Sequence, residues 1–330
     1  MRISALGGHH GNIVAVWRPG AGTQWWQADV DVATFTTADV GYVNSGLRLT
    51  SIRVLADPPV KPPPPKPADP QMSGWVCIDS QEIDNTEWTE ECQGMTCDGS
   101  AWLVSSNNAD FKGVHRLSLD LNTEFAKVAV PPQAGSHVGA LDYHMATDRL
   151  YVAVEGGPSV WVLDKQLNTI SVSPLGGGKG TPQGGEMPWC AFNPADGLLY
   201  SSTFTGVTQV HAYDPANGFV HVSSIALGGP ALNNVQGGCF SAHGHLYLSE
   251  DSTGRVHGYD AATGASVGSA AIPYSPGGVS GEEVEGLGIA KLHHANGQFS
   301  WVHVVVLDND ITNKDDVFIK HFAVPNPANL

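Results

Sequence analysis

Five short junctions recur along the chain and constrain it more than any other feature. They read Cys92-Gln93-Gly94-Met95, His137-Val138-Gly139-Ala140, Met187-Pro188-Trp189-Cys190, Val235-Gln236-Gly237-Gly238 and Glu283-Val284-Glu285-Gly286. Their marker positions fall at 94, 139, 188, 237 and 286, a spacing of 45 to 49 residues, with Pro188 standing where the others have glycine. A period of that length means one supersecondary block repeated and stacked on its neighbours. Each block shows several short apolar runs. In the second they lie at 140–143, 150–154, 159–163 and 170–173, and in the third at 190–192, 198–203, 209–213 and 220–225. The fourth has them at 239–240, 246–249, 256–259 and 265–271. Turns such as Asn193-Pro194-Ala195-Asp196-Gly197, Asp214-Pro215-Ala216-Asn217-Gly218 and Asp260-Ala261-Ala262-Thr263-Gly264 separate them. Asp and Asn there bond the backbone ahead and Gly supplies positive φ, which is hairpin chemistry.

Four antiparallel strands per block, repeated five times, predict an all-β chain and a five-bladed β-propeller. The last block has strands at 285–292, 301–307 and 316–324 and then runs out, while 75–79 (Trp-Val-Cys-Ile-Asp) is a spare strand ahead of the first block. Pairing the two would close the ring and remove exposed sheet edges. The propeller is therefore assigned to 73–330, closed by an N-terminal strand, and is expected to be monomeric.

Two segments precede it. Residues 56–72 carry a run of prolines and read as a polyproline II spacer. Residues 1–55 form a small module expected to be α+β, with strands around Ala15-Val16-Trp17, Trp25-Trp26 and Gly46-Leu47-Arg48-Leu49 and a helix over 39–43. The Val-Trp strand and the closing Gly-Xaa-Arg-Leu strand resemble the bacterial tandem repeat domain that precedes the catalytic part of polyglycine hydrolases. That resemblance implies an accessory or targeting role. The propeller junctions look like those of secreted bacterial propellers, which favours an extracellular setting. Against that, Met1–Gly11 lacks the apolar core of a secretory signal.

Charge narrows the partners. The chain carries −16 overall, and residues 73–330 hold 10 Lys and Arg against 27 Asp and Glu. Such a surface repels phosphate backbones, so nucleic acid is not an expected partner. No apolar run reaches about 18 residues, so no membrane insertion is expected. Cys92 and Cys97 are close enough in sequence to leave a disulfide open, while Cys190 and Cys239 fall inside apolar strands and read as inert thiols.

Topology then locates a site. In a four-stranded blade the a–b and c–d turns share one face and the longer b–c and d–a connections share the other, where function concentrates. That second face collects Asn107, Glu155, Glu250, Asp308 and Asp310 from b–c loops, with Glu283 and Glu285 at a d–a junction. Carboxylates converging on a channel mouth repel one another unless a cation or proton intervenes. Hard oxygen donors suit Ca²⁺, and Glu285, Glu283, Asp142, Gln93 and Gln236 form the expected set. His137 is a candidate ligand contact or acid–base group, and Trp189 a candidate pocket floor. His115, His211 and His257 recur on strand c and read as packing between blades. The expected function is recognition of a small molecule or glycan on the acidic face. A Ca²⁺-dependent hydrolase or lyase is the alternative.

Overall fold

The computed structural model describes strands 13–18, 25–30 and 48–54 through their backbone, and residues 72–330 apart from 85, 275–280, 296, 312–313, 326 and 328–329. Side chains at 310, 311 and 314 are also outside that set. Contacts divide the chain into 1–67 and 68–330. In the first unit, β1 (Ile13–Arg18), β2 (Trp25–Val30) and β3 (Arg48–Val54) form an antiparallel sheet in the order β2-β1-β3. The helix expected over 39–43 and the proline run at 56–71 lie outside the described residues.

The second unit is a ring of five four-stranded antiparallel sheets. The first blade is β5 (Cys92–Cys97), β6 (Trp102–Asn107), β7 (Lys112–Leu117) and β8 (Glu124–Ala129). The second is β9 (His137–His144), β10 (Arg149–Glu155), β11 (Ser159–Leu163) and β12 (Thr169–Pro174). The third is β13 (Ala191–Asn193), β14 (Leu198–Ser201), β15 (Gln209–Asp214) and β16 (Val220–Ala226). The fourth is β17 (Val235–Phe240), β18 (His245–Glu250), β19 (Arg255–Asp260) and β20 (Ser266–Ala271). The fifth contains β21 (Glu282–His293), β22 (Phe299–Ile311) and β23 (Lys314–Ala323), and its outermost strand is β4 (Val76–Ile83), borrowed from ahead of the first blade. Register runs from Val317↔Ile83 to Ala323↔Val76, so the ring closes as the spare strand predicts. Among the described residues there is no α-helix, only three short 3₁₀ turns.

Strand burial explains why these sequences fold this way. The second strand of each blade is sandwiched between neighbouring blades. It therefore reads as a continuous apolar run, as in Leu150-Tyr151-Val152-Ala153-Val154, buried throughout. The outer strands have one solvated face, and β8 alternates between exposed and half-buried positions. Five apolar clusters fill the gaps, one between each pair of adjacent blades. Between the fourth and fifth blades, Tyr247 and Val256 meet Val302, Val304 and Phe322. Met72 and Trp75 join that cluster. Met72, placed at the end of the spacer by sequence, is only 1% exposed, and its sulfur lies where a Cβ on Gly258 would be.

The recurring glycines act at the axis. A Cβ on Gly94 would stand 2.8 Å from that of Ala140, one on Gly237 2.5 Å from Gly286 Cα, and one on Gly286 2.6 Å from Gly94 Cα. A Cβ on Gly139 would meet the Pro188 carbonyl oxygen at 2.3 Å. Inner strands of successive blades therefore touch backbone to backbone, and no side chain fits between them.

Candidate functional site

Just above that throat the inner strands carry β-bulges. Gln93 is the extra residue between Cys92↔Ser106 and Gly94↔Ser105, and Gln236 the extra residue between Val235↔Glu250 and Gly237↔Ser249. In the fifth blade Glu285 and Gly286 together oppose Val305. A bulge breaks the alternation of side chains and re-aims one of them. Here it brings Gln93, Gln236 and Glu285 to one mouth of the channel, the upper mouth. They line a cavity of about 380 Å³ together with Glu91, His137, Glu155, Glu186, Pro188, Phe204 and Glu283. Among the described residues no Lys or Arg lines it. Glu91 continues into an open groove of about 480 Å³ that also holds Glu90, Asp110 and Asp315.

The carboxylates are not equivalent. In Glu282-Glu283-Val284-Glu285 the strand alternates, so Glu282 turns away, 3.7 Å from Lys320 Nζ. Glu283 and Glu285 face the cavity. Gln236 Nε2 donates to both, at 3.0 Å to Glu283 Oε1 and 3.3 Å to Glu285 Oε1. Asn309 adds a longer bond of 3.4 Å to Glu283 Oε2. Glu285 is 2% exposed, and its Oε2 is buried without a hydrogen-bond partner among the described residues. Burial pushes its pKa well above the usual carboxylate range, and the charges of Glu283 and Asp251 push the same way. Glu283 is raised as well, by burial first and then by Asp251.

His137 is held at both ring nitrogens. Asn107 Nδ2 lies 2.8 Å from Nδ1 and Gln93 Oε1 lies 3.1 Å from Nε2. An amide N–H donating to Nδ1 leaves Nε2 as the protonated nitrogen, donating to Gln93. Glu155 Oε1 accepts from Met187 N at 2.8 Å and Glu186 Oε2 from Phe204 N at 2.7 Å. Each of these carboxylates spends one oxygen on backbone and leaves the other for the cavity.

Several sequence expectations are corrected. Asp142 does not join Glu283 and Glu285. It lies five residues beyond His137, so at about 3.3 Å per residue it sits near the opposite mouth. There it accepts from Phe192 N at 2.8 Å and Thr96 Oγ1 at 3.4 Å. Trp189 floors no pocket. It is 0% exposed, its Nε1 donates to Ser202 Oγ at 3.0 Å, and its ring fills the space a Gly238 side chain would need. Glu250 is 3% exposed, accepts from Asn233 N at 2.7 Å and pairs with His257 Nε2 at 2.9 Å. It is a blade staple. Asp308 stands opposite Glu282 on β22, outside the cavity wall, and the Asp310 side chain is outside the described residues. His115, His211 and His257 bond within their own blades, to Glu124, Ser224 and Glu250. Cys92 and Cys97 lie on one extended strand, far beyond disulfide reach, and all five cysteines are free.

Sequence reasoning missed Glu91 and Phe204. A signal for Glu91 existed: it stands two residues before Gln93, as Asn234 does before Gln236, and both take positive φ (52° and 54°). Phe204 is the aromatic that reaches the cavity in place of Trp189. A second constellation lies in the fifth blade. Ser300 Oγ is 2.6 Å from His294 Nε2, and His294 Nδ1 is 3.0 Å from Asp79 Oδ2. This is the order of a nucleophile, base and orienting carboxylate. Ser300, however, is 0% exposed, so the relay ties a hairpin to β4 and meets no substrate.

No protein-family model and no curated protein matches the chain. Among solved structures it is similar to the glutaminyl cyclase of Myxococcus xanthus, with 14% identity and a TM-score of 0.50, over 75% of this chain and 97% of that one. It is also similar to a streptogramin B lyase, with 11% identity and a TM-score of 0.40, over 78% of this chain and 76% of that one. At 14% identity the likeness to the cyclase is one of fold alone. The class defined is a five-bladed β-propeller with an acidic cavity at one mouth of its channel.

Proposed function

We propose that the propeller is a recognition protein whose upper mouth binds a polyhydroxylated small molecule or glycan through a bound Ca²⁺. The observation that carries this reading is Glu285 Oε2, a buried carboxylate oxygen with no partner beside a second carboxylate. An uncompensated pair of this kind needs a cation or a proton. All the donors around it are hard oxygens or amides, which suits Ca²⁺. Glu283 and Glu285 would hold the ion, with Gln93 and with Gln236 once its amide presents oxygen instead of nitrogen. Glu155, Glu186 and the Phe204 ring then surround whatever hydroxyl groups complete the coordination.

Recognition is favoured over hydrolysis because His137, the candidate base, has its acceptor nitrogen already occupied by Asn107. The N-terminal unit is proposed to be an accessory module. A Ca²⁺/EDTA melting comparison of wild type and Glu285→Gln tests the site. Ca²⁺ should raise the melting temperature of wild type only, and an identical response of both proteins rejects the reading. Glycan binding that is unchanged by EDTA would separate ligand from ion.

A further inference from the structure

Asp142, removed from the upper mouth by the length of its strand, helps to form a second cavity at the lower mouth. This cavity measures about 330 Å³ and is built where the inner strands of all five blades end, by Thr96, Asp142, Phe192, Phe240 and Ile289 among others. Its chemistry is the reverse of the acidic mouth. The walls are mostly aromatic and aliphatic, and among the described residues no Lys or Arg lines them. At the rim His144 stacks on Phe192, with ring centroids 3.7 Å apart and planes 23° apart. Met145 beside it is 64% exposed, the most exposed of the large hydrophobic residues among those described. Burial holds the His144 pKa below its ordinary value, so its ring brings no positive charge at neutral pH.

We infer that this lower mouth is a second ligand site, taking a small aryl-alkyl amine whose ring packs beside the His144–Phe192 stack against Phe240 and Ile289 and whose ammonium group pairs with Asp142. Charge complementarity names the occupant. Among the described residues Asp142 is the only acidic side chain in the wall, and no Lys or Arg stands in the wall beside it. Its pKa is pushed up to about 6, with burial the largest cause against the hydrogen bonds from Phe192, Tyr143 and Thr96. A ligand cation offsets that penalty. An apolar chamber with one fixed polar group also has the usual make-up of a small-molecule site.

The test is calorimetric titration of 2-phenylethylamine and its neutral analogue 2-phenylethanol into the full chain. Wild type should bind the amine about tenfold or more tightly than the alcohol. Asp142→Asn keeps an acceptor for Phe192 N–H and should abolish that preference. Glu285→Gln, at the opposite mouth, should leave it intact. In wild type the amine should shift the Ile289 methyl resonances and leave the Gln236 side-chain amide unmoved, a reading that does not depend on any variant folding. No binding of the amine at millimolar concentration, equal binding of amine and alcohol, or shifts confined to Gln236 would each overturn the assignment.

Discussion

The two mouths of the channel are built from the same five inner strands, yet they present opposite chemistry. At the upper mouth, bulges in β5, β17 and β21 re-aim Gln93, Gln236 and Glu285, ringed by Glu91, Glu155, Glu186 and Glu283. At the lower mouth the side chains are Phe192, Phe240, Ile289 and Met145, with Asp142 alone charged among the acidic and basic residues. Between them the glycine throat brings backbones too close for any side chain. The difference shows how a repeat can be uniform where blades must touch and free to diverge at both ends.

The largest expected effect comes from breaking the throat that both mouths share. Gly286→Val would drive a branched side chain into Gly94 Cα and the Gln93 carbonyl. It should cost about 3 kcal/mol or more, seen as loss of cooperative folding or a melting temperature lower by roughly 6 °C or more.

Next comes acid, which distinguishes the carboxylates from the histidines of the fifth blade. His303 and His321 meet Nδ1 to Nδ1 at 2.7 Å, and burial depresses their pKa values to about 3 and about 4. A lowered histidine pKa means that the folded state resists protonation. Stability is then fully present above about 6.5 and lost as pH falls toward 4, by about 1.4 kcal/mol per pH unit for each ring. Denaturant titrations at pH 7 and 4.5 should show this, with a shallower slope in His321→Asn.

Glu285 has the opposite sign. Its folded pKa is raised, so its contribution is present below the unfolded value near 4.3 and lost as pH rises through the folded one. Glu285→Gln should therefore raise metal-free stability at pH 8 and erase a Ca²⁺ stabilisation of about 3 kcal/mol at a hundredfold excess over Kd. Equal melting of wild type and variant in EDTA at pH 8 would contradict the buried charge.

The smallest effect concerns the cysteines. Reductant should leave the intact mass and the melting curve unchanged. Cys97, half-buried at the lower mouth, should react slowly with maleimide because burial raises its pKa, while Cys190 and Cys239 stay protected until unfolding.

Periodicity and turn chemistry alone made the blade number, the strand order and the borrowed β4 legible, because a repeat reports its own length and a missing fourth strand names its replacement. They also made the equivalence of Gln93, Gln236 and Glu285 legible. Spacing along the chain did not reveal which side chains share a mouth. Asp142 and His137 are neighbours in sequence but belong to opposite ends of an extended strand, and Trp189 at a junction belongs to the blade interface. Those assignments depend on rise per residue, on bulges that reset side-chain direction, and on which blade lies next. The chain's own pattern determined that this is a five-bladed ring with an acidic face. Only the tertiary structure decided that Glu285 is the carboxylate with one oxygen left unpartnered among the described residues, because whether a group is desolvated and unpaired depends on atoms brought from other blades.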